Sequence, residues 1–140
     1  MKNIEEKIKQ LKLIFDECQN AEDKYNKIIE LGKGLKNISE EFKSSDNRIQ
    51  GCQSNTYLKT SYQNGTVCFE GTSDALISAG LMYILIYVYN NQTPEAILKT
   101  EPKFIHELGI YSSLTPSRSN GMASMLLRMR QEALKILTKQ

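Results

Sequence analysis

A cysteine directly after a glycine, in the stretch Asn47-Arg48-Ile49-Gln50-Gly51-Cys52-Gln53-Ser54, is the residue of this chain best placed for chemistry. Its neighbours are polar, and Gly51 lets the backbone turn and another molecule approach closely. A thiol reacts as its thiolate, so Cys52 offers a sulfur nucleophile to a partner. The local sequence leaves two readings open, a reactive thiol and a buried structural one. The other cysteines read as structural. Cys18 ends the apolar series Ile4, Ile8, Leu11, Phe15, Cys18, where core packing accounts for it. Cys68 stands on the polar face of a strand as a spectator thiol.

Other chemistries find less support. Three cysteines and His106 match a four-ligand metal site in number, but closed zinc sites use short paired spacings and no Cys-x-x-Cys occurs. His106 reads instead as a surface or second-layer residue. It is also the only histidine available to a thiol hydrolase. No Walker motif or Gly-x-Gly-x-x-Gly is present, so phosphate and dinucleotide binding lack a basis. Arg118, in Pro116-Ser117-Arg118-Ser119-Asn120-Gly121, is a cation at a helix start, where the partial charge has the same sign. Either it answers a carboxylate, a carbonyl or a thiolate in the fold, or it is a solvated loop arginine. Asp74 is accounted for as a first-turn acid.

The elements that position these residues follow from periodicity. The apolar series from Ile4 predicts one amphipathic helix, and Asn20 caps a second carrying Tyr25, Ile28, Ile29 and Leu35, weakened at its end by Gly32 and Gly34. Lys36 to Asn47 reads as loop, tethered by Ile38 and Phe42. Residues 54–62 and Thr66–Glu70 flank Asn64-Gly65, a strong hairpin signal, with Val67 and Phe69 on one face and Gly71 closing the strand. Thr72-Ser73-Asp74 then caps a helix from Leu76 to Val88 that is apolar on nearly all sides. Thr93-Pro94-Glu95 opens a short helix. Phe104, Ile105 and Leu108 form another, closed by Gly109. A last helix starts near Ser117–Asn120 and runs to the terminus, burying Met122, Met125, Leu126, Met129, Ala133 and Leu137.

With 140 residues the chain is expected to form a single domain over 1–140, of α+β class with helices on one face of a small antiparallel sheet. The net charge of +2, with lysines and glutamates interspersed, argues against nucleic acid as a partner. Residues 1–20 lack a continuous apolar core, and the run from Leu76 to Tyr89 is interrupted by Ser78 and Gly80 and is too short to span a membrane. A cytoplasmic protein with free thiols is expected.

Three separated segments together resemble one family. Gly51-Cys52-Gln53-Ser54, Gly71-Thr72-Ser73-Asp74-Ala75 and Leu114-Thr115-Pro116-Ser117-Arg118-Ser119-Asn120-Gly121 occur in the order and at the spacings of the SufE family. The Ile-Ile-Glu-Leu-Gly end of the second helix and Thr93-Pro94 look similar too. The resemblance covers the chain from about Leu11 to the last helix. It implies a SufE/IscU-like fold, a three-stranded antiparallel sheet packed with helices, between N-terminal helices and a helical C-terminal half. It implies a sulfur acceptor at Cys52 that takes persulfide sulfur from a SufS-like, pyridoxal-phosphate-dependent cysteine desulfurase, stimulates that enzyme, and delivers sulfur to an iron–sulfur assembly scaffold. By the same resemblance the chain is not itself an enzyme and holds no cofactor of its own. Gly51, Gln53, Ser54, Asp74 and Arg118 support the cysteine, and the protein is a monomer or homodimer. Thr72 and Tyr57 depart from the family pattern, which commonly has an acid and a tryptophan there. The alternatives are a metal or cluster scaffold of the IscU type using Cys52 and Cys68, and a regulator that acts by docking alone.

Overall fold

A computed structural model describes residues 3–139 of the chain. Helix α1 (Ile4–Asp16) is capped by Asn3, whose side chain accepts from the Glu6 amide. It buries Ile4, Leu11 and Phe15. The helix stops before Cys18, contrary to the continuous stripe expected from the sequence. Residues 17–20 must instead link to α2 (Ala21–Gly32), where Asn20 accepts from the Asp23 amide and Asp23 accepts from the Gln19 amide. This reciprocal capping fixes the turn between the two helices. Cys18 still packs half-buried against the core.

The segment after α2 is irregular but tethered, as expected. Ile38 is buried, and the Lys59 ammonium lies 3.9 Å from the Phe42 ring centroid. Strands β1 (Thr56–Gln63) and β2 (Thr66–Ser73) pair antiparallel from Thr56↔Ser73 to Gln63↔Thr66. Asn64 and Gly65 both adopt positive φ, 54° and 81°, as a tight two-residue hairpin turn requires. Leu58, Val67 and Phe69 face the core. Gly71 does not end the strand. It pairs with Leu58, and β2 continues to Ser73 beneath Met82, where a side chain at position 71 would crowd.

Two strands, not three, form the sheet among the described residues. The third is reduced to one bridge, Arg48↔Tyr57, fixed by Ile49 N–H to Thr56 O at 2.9 Å and Leu58 N–H to Asn47 O at 2.8 Å. A turn closed by the Asn47 amide on Ser44 O precedes it, and Gly51 turns the chain just after it. Too few extended residues remain between these turns for a ladder. The α+β class with an antiparallel sheet holds.

Helix α3 (Leu76–Tyr89) is the centre of the core, with Ile77, Leu81, Met82, Ile84, Leu85, Val88 and Tyr89 all buried. Each fully buried side chain of this size contributes roughly 1.5–3 kcal/mol relative to exposure. Its cap differs from the sequence reading. Thr72 and Ser73 belong to β2, and the extended Ala75 precedes the helix without a side-chain cap. Helix α2 crosses α3 so closely that a Cβ on Gly80 would overlap the Ile28 carbonyl and side chain. Helices α4 (Pro94–Lys99) and α5 (Lys103–Glu107) close the far end, with Thr93 capping α4. Helix α6 (Pro116–Thr138) begins a residue or more earlier than expected, because Thr115 caps it and Pro116 needs no amide partner at its first position. Met122, Met125, Leu126, Met129 and Ala133 are buried, whereas Leu137 is only partly so. The terminal Gln140 lies outside the described residues.

Candidate functional site

The loop from Gln50 to Asn55 leaves the single bridge at Arg48 and enters β1 at Thr56. Gly51 turns it with φ +88°, a conformation that disfavours a side chain, and a Cβ there would also overlap Ser124 Oγ of α6. The turn lays Cys52 on the first part of α6. Its thiol points at the Gly121 carbonyl, Sγ to O 3.6 Å, and the residue is partly buried.

Burial pushes the Cys52 thiol above its ordinary pKa, because the charged thiolate is the form that loses solvation. Three groups pull the other way: the Thr56 hydroxyl, then the Arg118 and Arg48 guanidiniums. At rest the site therefore favours a protonated thiol, with two cations near enough to steady the anion once it forms.

Beneath the loop lies a cluster of hydroxyls. Ser54 donates to Ser78 Oγ at 3.1 Å and lies 3.0 Å from Thr56 Oγ1, which is 2.9 Å from Ser73 Oγ. Ser73 in turn donates to Ser54 at 3.3 Å. Ser54, Thr56 and Ser78 are buried, so these mutual bonds are what make their burial tolerable. Arg118 Nη1 donates to Ser78 Oγ at 3.1 Å. The cation at the helix start thus hydrogen-bonds a hydroxyl and also favours the anionic form of the Cys52 thiol.

The residues singled out in the sequence divide into three positions. Gly51, Cys52, Ser54 and Arg118 converge on the hydroxyl cluster and the α6 start. Gln53 is exposed. Asp74 is not a first-turn acid: its Oδ1 accepts from the Asn55 amide at 3.0 Å, and its own amide donates to Asn55 O at 3.2 Å. It pins the exit of the loop. Thr72 and Tyr57, the two departures from the family pattern, are cross-strand partners and line one groove with Asn55, Asp74 and Leu76.

Arg48, Thr56, Ser78 and Ser124 escaped the sequence reading as site residues, and Gly121 entered it only as the end of a family-like segment. Ser78 carried a signal, a hydroxyl inside an apolar helix. The others are assembled by tertiary structure. Cys68 donates to Asn91 Oδ1 at 3.3 Å, on the far strand, and Cys18 lies near Ile14 O. Among the described residues no three His, Cys, Asp or Glu side chains group as metal ligands, and no helix is long and apolar enough to cross a membrane. A groove of about 820 Å³ between α1 and the α4–α5 segment contains none of the loop residues. Cys52 lines neither this groove nor the one beside Thr72 and Tyr57.

Comparison with known proteins gives a consistent picture. The family model described as SufE, Fe-S metabolism associated domain, matches residues 9–133. An uncharacterized SufE-like protein of Synechocystis is 35% identical over 120 residues, covering 86% of this chain and 76% of the relative. The solution structure of a hypothetical protein from Thermus thermophilus superimposes with a TM-score of 0.77 at 22% identity, covering 94% of this chain and 96% of that one. That last likeness concerns the fold.

Proposed function

Since the chain belongs to the SufE family of Fe–S metabolism associated domains, we propose that it receives persulfide sulfur on Cys52 from a cysteine desulfurase and passes it on for iron–sulfur cluster assembly. The observation that carries this reading is the placement of Cys52. It is the cysteine on a glycine-turned surface loop, partly buried, with Arg118 and Arg48 acting on it.

The partner enzyme bears the pyridoxal phosphate and a persulfide on its own cysteine. Cys52 loses its proton, and its thiolate attacks the terminal sulfur of that persulfide. The sulfur–sulfur bond of the partner breaks, its cysteine thiolate leaves with the electron pair, and Cys52 carries the new persulfide. No net oxidation occurs. In the resting position burial disfavours the thiolate, and docking removes that penalty by drawing the loop outward, while the two guanidiniums favour the anion. Withdrawal onto α6 then shields the persulfide from small thiols. The downstream acceptor takes the sulfur by the same exchange.

The test incubates the protein with a SufS-like desulfurase and cysteine and maps added sulfur by intact and peptide mass spectrometry. A gain of one sulfur on Cys52, lost in Cys52→Ser, supports the reading. Sulfur absent from Cys52, or full stimulation of the desulfurase by Cys52→Ser, overturns it in favour of docking alone.

A further inference from the structure

Arg128 directs both terminal nitrogens of its guanidinium at the segment that leads into the cysteine loop. Nη1 donates to the Arg48 carbonyl at 3.1 Å, Nη2 donates to the Asp46 carbonyl, and Nε donates to Glu132 Oε1 at 2.9 Å. The Arg128 and Glu132 side chains are only 20% and 19% exposed, so solvent competes weakly for the part-buried bonds to Arg48 and Glu132, while the bond to Asp46 is exposed. Asn47 O and the Ile49 amide face β1, whereas the Asp46 and Arg48 carbonyls face α6. The arginine thus satisfies the outer edge of the strand stub, where a further strand would otherwise pair. A rigid planar fork suits two carbonyls spaced along one edge better than a lysine does.

We propose that Arg128, oriented by Glu132, is the positioning residue of the Cys52 loop. It fixes residues 46–48 on α6, and through them the turn at Gly51 that sets Cys52 against Gly121. Release of this contact frees the loop without disturbing the hairpin. The contact also places Arg48, one of the two cations acting on the thiol. Its importance for sulfur transfer rests on Cys52 being the acceptor, but its test does not.

The experiment measures iodoacetamide labelling of each cysteine by peptide mass spectrometry, in wild type, Arg128→Ala and Arg128→Lys, under native conditions. Cys68, held on the other strand by Asn91, is the internal reference. Loss of a charge-assisted hydrogen bond predicts about tenfold faster labelling of Cys52 in Arg128→Ala, a smaller rise in Arg128→Lys, and an unchanged rate at Cys68. An unchanged Cys52 rate overturns the proposal. So does a parallel rise at all three cysteines, which would make Arg128 a support of the whole fold. Failure of sulfur to appear on wild-type Cys52 strikes the acceptor reading instead and leaves this labelling ratio interpretable.

Discussion

The Cys52 thiol rests 3.6 Å from the carbonyl oxygen of Gly121, a residue 69 positions further along the chain. A Cβ at Gly121 would stand in ordinary contact with the sulfur, also at 3.6 Å, so the helix surface is fitted to the thiol. The resting state of the nucleophile is therefore a property of the loop and α6 jointly.

The first consequence concerns pH. Burial raises the thiol pKa of Cys52, and Arg118 opposes that rise. Between the ordinary thiol pKa and the raised one, Cys52 is ionised in the unfolded chain but protonated in the folded protein. Its stabilising contribution is thus complete below the unfolded pKa and is lost as pH rises through the folded one. The pH profile of iodoacetamide labelling should have a higher midpoint in the folded protein than in a peptide spanning residues 47–57. Arg118→Ala should move it higher still. A folded midpoint below that of the peptide contradicts this account.

Gly51 is constrained twice, by its φ of +88° and by Ser124 Oγ. Left-handed backbone costs a residue with a side chain about 1–2 kcal/mol, and the overlap adds to it. Gly51→Ala should lower stability in urea by about 1–3 kcal/mol. Adding Ser124→Ala should restore part of the loss, because the overlapping oxygen is gone while the backbone strain stays. Full recovery in the double variant would show that φ is unimportant here.

Gly80 tests the crossing of α2 and α3. Alanine is favoured over glycine in a helix by about 1 kcal/mol. Against this, its Cβ would overlap Ile28 backbone and side chain, and backbone cannot yield cheaply. Gly80→Ala should therefore be destabilising by about 1–3 kcal/mol net, read from thermal or urea unfolding. A stabilised variant would mean that the helices separate freely.

Asp74 holds the Asn55 backbone rather than acting on the sulfur. Asp74→Ala should lower stability by about 0.5–1.5 kcal/mol, and Asp74→Asn, which keeps a carbonyl acceptor, should lose less. Neither should shift the pH midpoint of Cys52 labelling by more than Arg118→Ala does. A larger shift would place the carboxylate in the chemistry of the thiol.

Local rules read from the sequence identified much of the scaffold. Asn20, Thr93 and the Asn64-Gly65 turn each depend on neighbours within a few residues, and each stands where it was expected. Errors arose where distant groups compete. Thr72 and Ser73 have the composition of a cap, but pairing with Tyr57 and Thr56 draws them into β2. Asp74 bonds Asn55 across the sheet end instead of the helix it precedes. The third strand shrank because a turn at Ser44–Asn47 and another at Gly51 bound it on both sides. At the site, Cys52 was visible from its glycine and polar flanks. Arg128 was not singled out, since its partners in the loop are backbone carbonyls that carry no side-chain signature.

The two edges of β1 are unequal: eight residues are paired on the β2 side, and one bridge ties the side from which Cys52 hangs. Mechanically this is a rigid plate with a flap on a single pin. Ile49 is held in the core, so the part free to open is the loop beyond it, and such an opening breaks few bonds and leaves the hairpin paired. Such openings are sub-global, so their free energy can lie well below that of unfolding. The chain is thereby relieved of a conflict that a full third strand would impose, in which every gain in sheet stability would be subtracted from the mobility of the sulfur carrier.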